Sequence, residues 1–143
     1  MKVVDINLLI YAINTDTPHH PQAKEWLEAS LSSDEPVGLA WIVILGFLRI
    51  ITSGRIMPTP LSSEVAIEII DEWLRQPSVQ IIVPRERHWD ILKELLTPLG
   101  TAANLTSDAH LAALAIEYGA RLFSTDNDFS RFATLRWKNP IQK

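Results

Sequence analysis

Apolar positions along this chain recur with two periods. Short runs at Val3-Val4, Val37-Gly-Leu, Gln80-Ile-Ile-Val and Arg121-Leu-Phe-Ser have the length and composition of buried strands. Longer segments between them carry helical spacing. Leu8 to Ile13 predicts a short helix that Asn7 is placed to cap, and Ala23, Trp26, Leu27 and Leu31 predict an amphipathic one. Ala40 to Thr52 is apolar over most of its circumference (Trp41, Ile44, Leu45, Phe47, Leu48, Ile51), so it predicts a core helix. Val65, Ile69 and Trp73 mark the expected inner face of the next helix, and Arg85 to Leu96 is again amphipathic. In the last third, Leu111, Leu114, Ala115 and Tyr118 recur at helical spacing, with Thr106 or Ser107 placed to cap the start and Gly119 to end the helix. A final strand is expected at Leu135-Arg-Trp.

Polar stretches punctuate these elements at Asn14 to Pro21, Ser53 to Pro60 and Thr97 to Asn104. Strands alternating with longer helices imply an α/β fold whose mainly parallel sheet, of about four to five short strands, is covered on both faces. No repeat, low-complexity segment or linker interrupts the pattern, so residues 1–143 read as one domain. His19 and His20 are adjacent at a helix start, where they point to different sides. They read as surface or capping residues rather than chelators.

Composition narrows the function. A net charge of −4 argues against binding nucleic acid by bulk charge and leaves room only for a local basic patch. The chain has no cysteine, which excludes disulfides and thiolate metal sites and fits a reducing, cytoplasmic setting. The N-terminal apolar run is broken by Asp5 and Asn7, unlike a signal peptide, and no run approaches the roughly 18 residues of a membrane span.

The candidate chemistry is carboxylate. Asp5 follows the first strand, Asp108 lies in the first turn of a helix, and Asp126 follows the fourth strand, with Asp128 beside it. In a parallel α/β sheet such positions share the carboxyl edge, where open sheets place their sites. Each aspartate alone also reads as a cap or a turn former. Together they would repel by about 4 kcal/mol per pair at about 4 Å and an effective dielectric near 20, so they must take up protons or share a cation. An all-oxygen donor set suits Mg²⁺ or Mn²⁺.

Val4-Asp-Ile-Asn-Leu-Leu-Ile-Tyr-Ala, Ser107-Asp-Ala-His-Leu-Ala-Ala-Leu-Ala and Thr125-Asp-Asn-Asp-Phe, in this order, resemble PIN-domain nucleases, and among them the VapC-like toxins of toxin–antitoxin pairs. The resemblance covers essentially the whole chain. It implies a three-layer α/β/α fold and an Mg²⁺- or Mn²⁺-dependent ribonuclease. Asp5, Asp108 and Asp126 would be its catalytic metal-binding carboxylates, Asp128 an additional metal-binding one, and Asn7 and Thr125 supporting polar groups. It further implies an RNA substrate, a cognate antitoxin lying over the cleft, and a homodimer. Arg49 and Arg55 are candidate RNA contacts. One position departs from the pattern: where the family usually carries a second acidic residue, in a Glu-Phe-Leu-Arg context, this chain has Gly46 in Leu45-Gly-Phe-Leu-Arg.

The alternative within this fold is a module that binds RNA or a protein without cutting, which Gly46 favours. Phosphotransfer folds also gather aspartates at strand ends. However, no Asp-x-Asp follows the first strand, and Lys138 comes too late, after Trp137, to serve as a strand-end lysine.

Overall fold

The apolar runs become five short strands: β1 (Lys2–Val4), β2 (Val37–Ala40), β3 (Val79–Ile82), β4 (Arg121–Phe123) and β5 (Trp137–Lys138). A computed structural model describes residues 1–141; the expected unit of 1–143 also takes in Gln142 and Lys143, which lie outside the described residues. The strands form one sheet in the order β3-β2-β1-β4-β5, and every neighbouring pair is parallel. Parallel neighbours need crossovers, and these are supplied by α1 (Ile6–Ile13), α2 (His20–Leu31), α3 (Trp41–Ile51), α4 (Ser63–Arg75), α5 (His88–Leu96) and α6 (Thr106–Glu117). Val3, Val4, Val37, Leu39 and Leu122 are all but fully buried in the centre of the sheet, as their unbroken apolar runs require.

The strand order fixes where a site can lie. From β1 the chain moves outward to β2 and β3, then returns to place β4 on the opposite side of β1. The crevice of a doubly wound sheet opens where the order reverses, beyond the carboxyl ends of the two strands concerned. Those strands are β1, which ends one residue before Asp5, and β4, which ends one residue before Ser124.

Local details depart from the sequence reading in four places. Asp5, not Asn7, caps α1: its Oδ1 accepts from the Ile6 amide at 2.8 Å. Neither Thr106 nor Ser107 caps α6; the Thr106 hydroxyl instead donates back to the Ala103 carbonyl at 2.9 Å. The inner face of α4 is Ala66, Ile70 and Trp73, while Val65 is exposed and Ile69 only half-buried. Ser62 caps that helix, and the small Ala66, which a hydrophobicity count passes over, occupies the tight contact. The last strand falls at Trp137–Lys138, two residues late, because the Leu135 amide is spent on a turn to Phe132. Gly119, at φ 64°, ends α6 as expected.

Two contacts seat the helices around the crevice. His88 Nε2 and His110 Nδ1 lie 2.9 Å apart and join α5 to α6. Gly46 faces Ile6 across the α1–α3 contact, where an added Cβ would lie 2.5 Å from Ile6 Cδ1. That approach explains a glycine inside a core helix, where it costs roughly 0.5–1 kcal/mol against alanine. Among the described residues no helix is long and apolar enough to cross a membrane.

Alanine at position 46 should therefore be coupled to Ile6. In an Ile6→Val background, which lacks Cδ1, Gly46→Ala is expected to be more favourable by about 0.5–1.5 kcal/mol than in the parent, measured by urea unfolding as a double-mutant cycle. Strict additivity would mean that the two residues do not press on each other.

Candidate metal centre

Asp5 is held by both ends of the chain. Its Oδ2 accepts from the Ser124 hydroxyl at 2.7 Å and from Asn7 Nδ2 at 3.4 Å, while Oδ1 caps α1. Ser124 is fully buried and works as a junction. Besides donating to Asp5, it accepts from Asn7 Nδ2 at 3.2 Å and from the Asp126 amide at 3.0 Å. Asn7 Oδ1 takes the Thr125 amide at 3.3 Å. Asn7 is thus tied to Asp5, to Ser124 and to Thr125, the last through its backbone. Ser124 was missed. Its only sequence signal is a hydroxyl ending an otherwise apolar strand, and serine at such a place reads equally well as a loop residue.

Past β4 the chain makes a tight turn. Asp126 Oδ1 accepts from the Asp128 amide at 2.9 Å and starts a short 3₁₀ turn over Asn127–Arg131. Phe129, fully buried, anchors that turn, so both carboxylates project from a fixed loop. Asp108 comes from the first turn of α6. One carboxylate oxygen from each of Asp108, Asp126 and Asp128 lies within 4.8 Å of the others, and all three residues are half-buried. Asp5 stands beside this trio rather than in it.

Charge is concentrated accordingly. Partial burial first, then repulsion from Asp126, Asp5 and Asp128, pushes the Asp108 carboxyl up to about 6. Burial also raises Asp5, against the opposing hydrogen bonds from Ser124 and the Ile6 amide. Four carboxylates gathered in one crevice fit a divalent cation bound through oxygen. The lack of any sulfur or imidazole donor in the trio favours a hard ion. Arg131 Nε lies 3.8 Å from an Asp128 carboxylate oxygen, and both side chains are about half exposed.

Two clefts flank the aspartates. One, of about 310 Å³, is lined by Asp5, Asp108, Ile6, Gly46 and Arg49 among others; the second, of about 330 Å³, by Asp5, Asp108, Asn7 and Tyr11 among others. Arg49 therefore lies at the site. Arg55, exposed in the turn after α3, lines neither cleft.

The PIN domain family model matches residues 2–135. Ribonuclease VapC37 of Mycobacterium tuberculosis is 47% identical over 140 residues, covering 98% of this chain and 97% of the relative. Ribonuclease VapC33 of the same species is 44% identical over 143 residues, the full length of both. Among solved structures, VapBC2 from Rickettsia felis bound to a promoter DNA fragment superposes with a TM-score of 0.71 at 20% identity, over 96% of this chain and 97% of that one. VapC20 from Mycobacterium tuberculosis, described as a sarcin–ricin loop cleaving toxin, does so with 0.66 at 17% identity, over 95% and 99%.

A raised carboxyl opposes folding only when ionised. The cost from Asp108 is absent below about pH 4, where it is protonated folded and unfolded, and grows until the pH passes about 6. Without divalent cation, Asp108→Asn should raise the thermal midpoint near pH 7.5 and not near pH 4. The gain is on the order of 1 kcal/mol, because solvent screens a carboxyl that is not fully buried. Thermal unfolding across pH in chelator checks this; a lowered midpoint at the higher pH contradicts it.

Proposed function

We propose, from the premise that this chain belongs to the PIN domain family, that it is the ribonuclease toxin of a toxin–antitoxin pair, cutting RNA phosphodiesters at the crevice between β1 and β4. The observation that carries this reading is the meeting of Asp108, Asp126 and Asp128 within 4.8 Å, with Asp5 beside them. The ribonuclease relatives match along the whole chain, and that agreement supports the same chemistry here.

In this reading Asp5, Asp108, Asp126 and Asp128 would hold Mg²⁺ or Mn²⁺. A divalent ion bound through such oxygens polarises a phosphoryl oxygen and lowers the pKa of bound water. The chain's own residues do the rest. Ser124 and Asn7 fix the Asp5 carboxylate so that it presents a constant face to the crevice. The Asp126 turn holds Asp128 through its amide, so the two carboxylates approach as one rigid unit. Asp108 is brought in on α6, whose packing on α5 is pinned by the His88–His110 contact. Gly46 supplies no carboxylate, and Asp128 makes up the third oxygen donor of the trio. Arg49 is the cation lining the cleft and offers a phosphate contact in an otherwise acidic site.

The partner in this reading is a small antitoxin. Several structural relatives are toxin–antitoxin complexes, and an acidic crevice suits a segment rich in arginine, whose side chain would compete with the metal for the carboxylates. The protein would act as a homodimer in the cytoplasm.

Asp5→Asn and Asp126→Asn should each lower RNA cleavage in Mn²⁺ by roughly a hundredfold or more, with weaker Mn²⁺ binding by calorimetry for Asp126→Asn. Cleavage by these variants at the parent rate would defeat the assignment. Absence of Mn²⁺ binding in the parent would favour a module that binds without cutting, the reading Gly46 supports.

A further inference from the structure

Sites that cleave phosphodiesters with two ions hold them roughly 3.5–4 Å apart, and each ion needs oxygens of its own. The carboxylates here are unevenly placed for that. Asp108, Asp126 and Asp128 converge within 4.8 Å of one another. The cleft on the α3 side holds Asp5 and Asp108 but neither Asp126 nor Asp128. Asp5 is already engaged there: the Ile6 amide, the Ser124 hydroxyl and the Asn7 amide all donate to it. What α3 itself presents is apolar, Ile42, Val43 and Leu45, together with Gly46. No side chain can be fitted at position 46 as the helices stand. An added Cβ would lie 2.5 Å from Ile6 Cδ1 and 3.2 Å from its Cγ1, so a methyl group fills the space a carboxylate would need.

The α3 side has a cation instead. Arg49 follows Gly46 by three residues, about one helical turn, and lines the same cleft as Asp5 and Asp108. Among the described residues it makes no ion pair, although two carboxylates share the cleft with it. We propose that this chain works with a single divalent ion and that Arg49 stands in place of a second. Its guanidinium neutralises the charge that builds on the phosphoryl oxygens as the bond breaks. The inference rests on the ribonuclease reading and adds a catalytic residue and an ion count to it. A positive charge fixed on α3 repels a further divalent ion from this cleft and attracts a phosphate. The planar fork of the guanidinium offers parallel N–H groups to two oxygens of one phosphate, which a lysine cannot match. Arginines that meet transferring phosphoryl groups in this way contribute about 10³–10⁵ to turnover.

Counting ions and separating kcat from KM test this. Calorimetry of the parent with Mn²⁺ should give one ion per chain, electron paramagnetic resonance should show no spin-coupled pair, and the initial rate of RNA cleavage should rise with the first power of Mn²⁺ concentration. Arg49→Ala should lower kcat about a hundredfold or more while KM moves by less than about threefold. Its Mn²⁺ affinity should be unchanged or tighter, because a positive charge has left the cleft. Added guanidinium should restore part of the kcat of Arg49→Ala and none should be gained by the parent, and Arg49→Lys should recover less than the parent rate. The double variant Ile6→Ala/Gly46→Glu gives position 46 both room and a carboxylate. It should bind two Mn²⁺ per chain, and Arg49→Ala made in that background should cost no more than about tenfold in kcat.

Two ions per chain in the parent, or a rate that rises with the square of Mn²⁺ concentration, would overturn the single-ion centre. An Arg49→Ala protein that keeps the parent kcat, or that shows a raised KM alone, would overturn the role of the arginine and reduce it to a binding contact. Each of these results leaves the ribonuclease reading standing. A parent that binds one Mn²⁺ and cuts no RNA defeats the ribonuclease reading and the arginine's role with it, while the ion count holds.

Discussion

The hydrogen bond from Ser124 to Asp5 is the interaction on which the rest of the site depends. It crosses from the end of β4 to the end of β1, the two strands between which the sheet order reverses. A carboxylate at the end of a buried strand is tolerable only if its oxygens are occupied. Ser124 occupies one, the α1 amide occupies the other, and Asn7 adds a second donor. With Asp5 fixed, α1 starts at a set angle, Ile6 is carried against Gly46, and one wall of the neighbouring cleft follows. The same hydroxyl takes the Asp126 amide and so sets the turn that carries the other two carboxylates. One buried serine thus aligns groups from three segments.

The crevice concentrates like charges that the fold does not neutralise. Carboxylates elsewhere in the molecule are treated differently. Glu35 lies against Arg121, whose guanidinium reaches both of its oxygens at 2.9 Å and holds its carboxyl below the usual range. Glu117 accepts the Arg85 and Arg87 amides at 2.8 Å each. Among the described residues, burial and mutual repulsion push carboxyls upward only at the crevice, Asp108 most clearly. Strain of this kind is concentrated where a ligand relieves it, and a cation binding the folded state alone stabilises that state by mass action.

Much of this was legible in the residues. The parallel sheet follows from short apolar-centred strands alternating with longer helices, and Asp5, Asp108, Asp126 and Asp128 follow from their places after strands or at a helix start. What stayed hidden depended on three-dimensional contact. Ser124 looks like any serine at a strand end until Asp5 is placed beside it. Ala66 is too small to weigh in a hydrophobic pattern, so the inner face of α4 was read one position early. Gly46 was visible as a departure, but the reason, Ile6 Cδ1 where a Cβ would go, needed the packing of two helices. Arg49 and Arg55 were indistinguishable as exposed arginines, and only the cleft separates them.

The pairing of β1 with β4 also has a meaning in time. Lys2, Val3 and Val4 find their partners at Arg121, Leu122 and Phe123, so the central strand of the sheet waits for residues made much later in synthesis. Contacts of such sequence separation form late and slowly, after local helices. A chain still emerging from the ribosome holds Asp5 but not the serine that orients it, nor the turn that completes the trio. The acidic centre therefore comes together only once β4 has paired with β1, so assembly of the site follows assembly of the sheet.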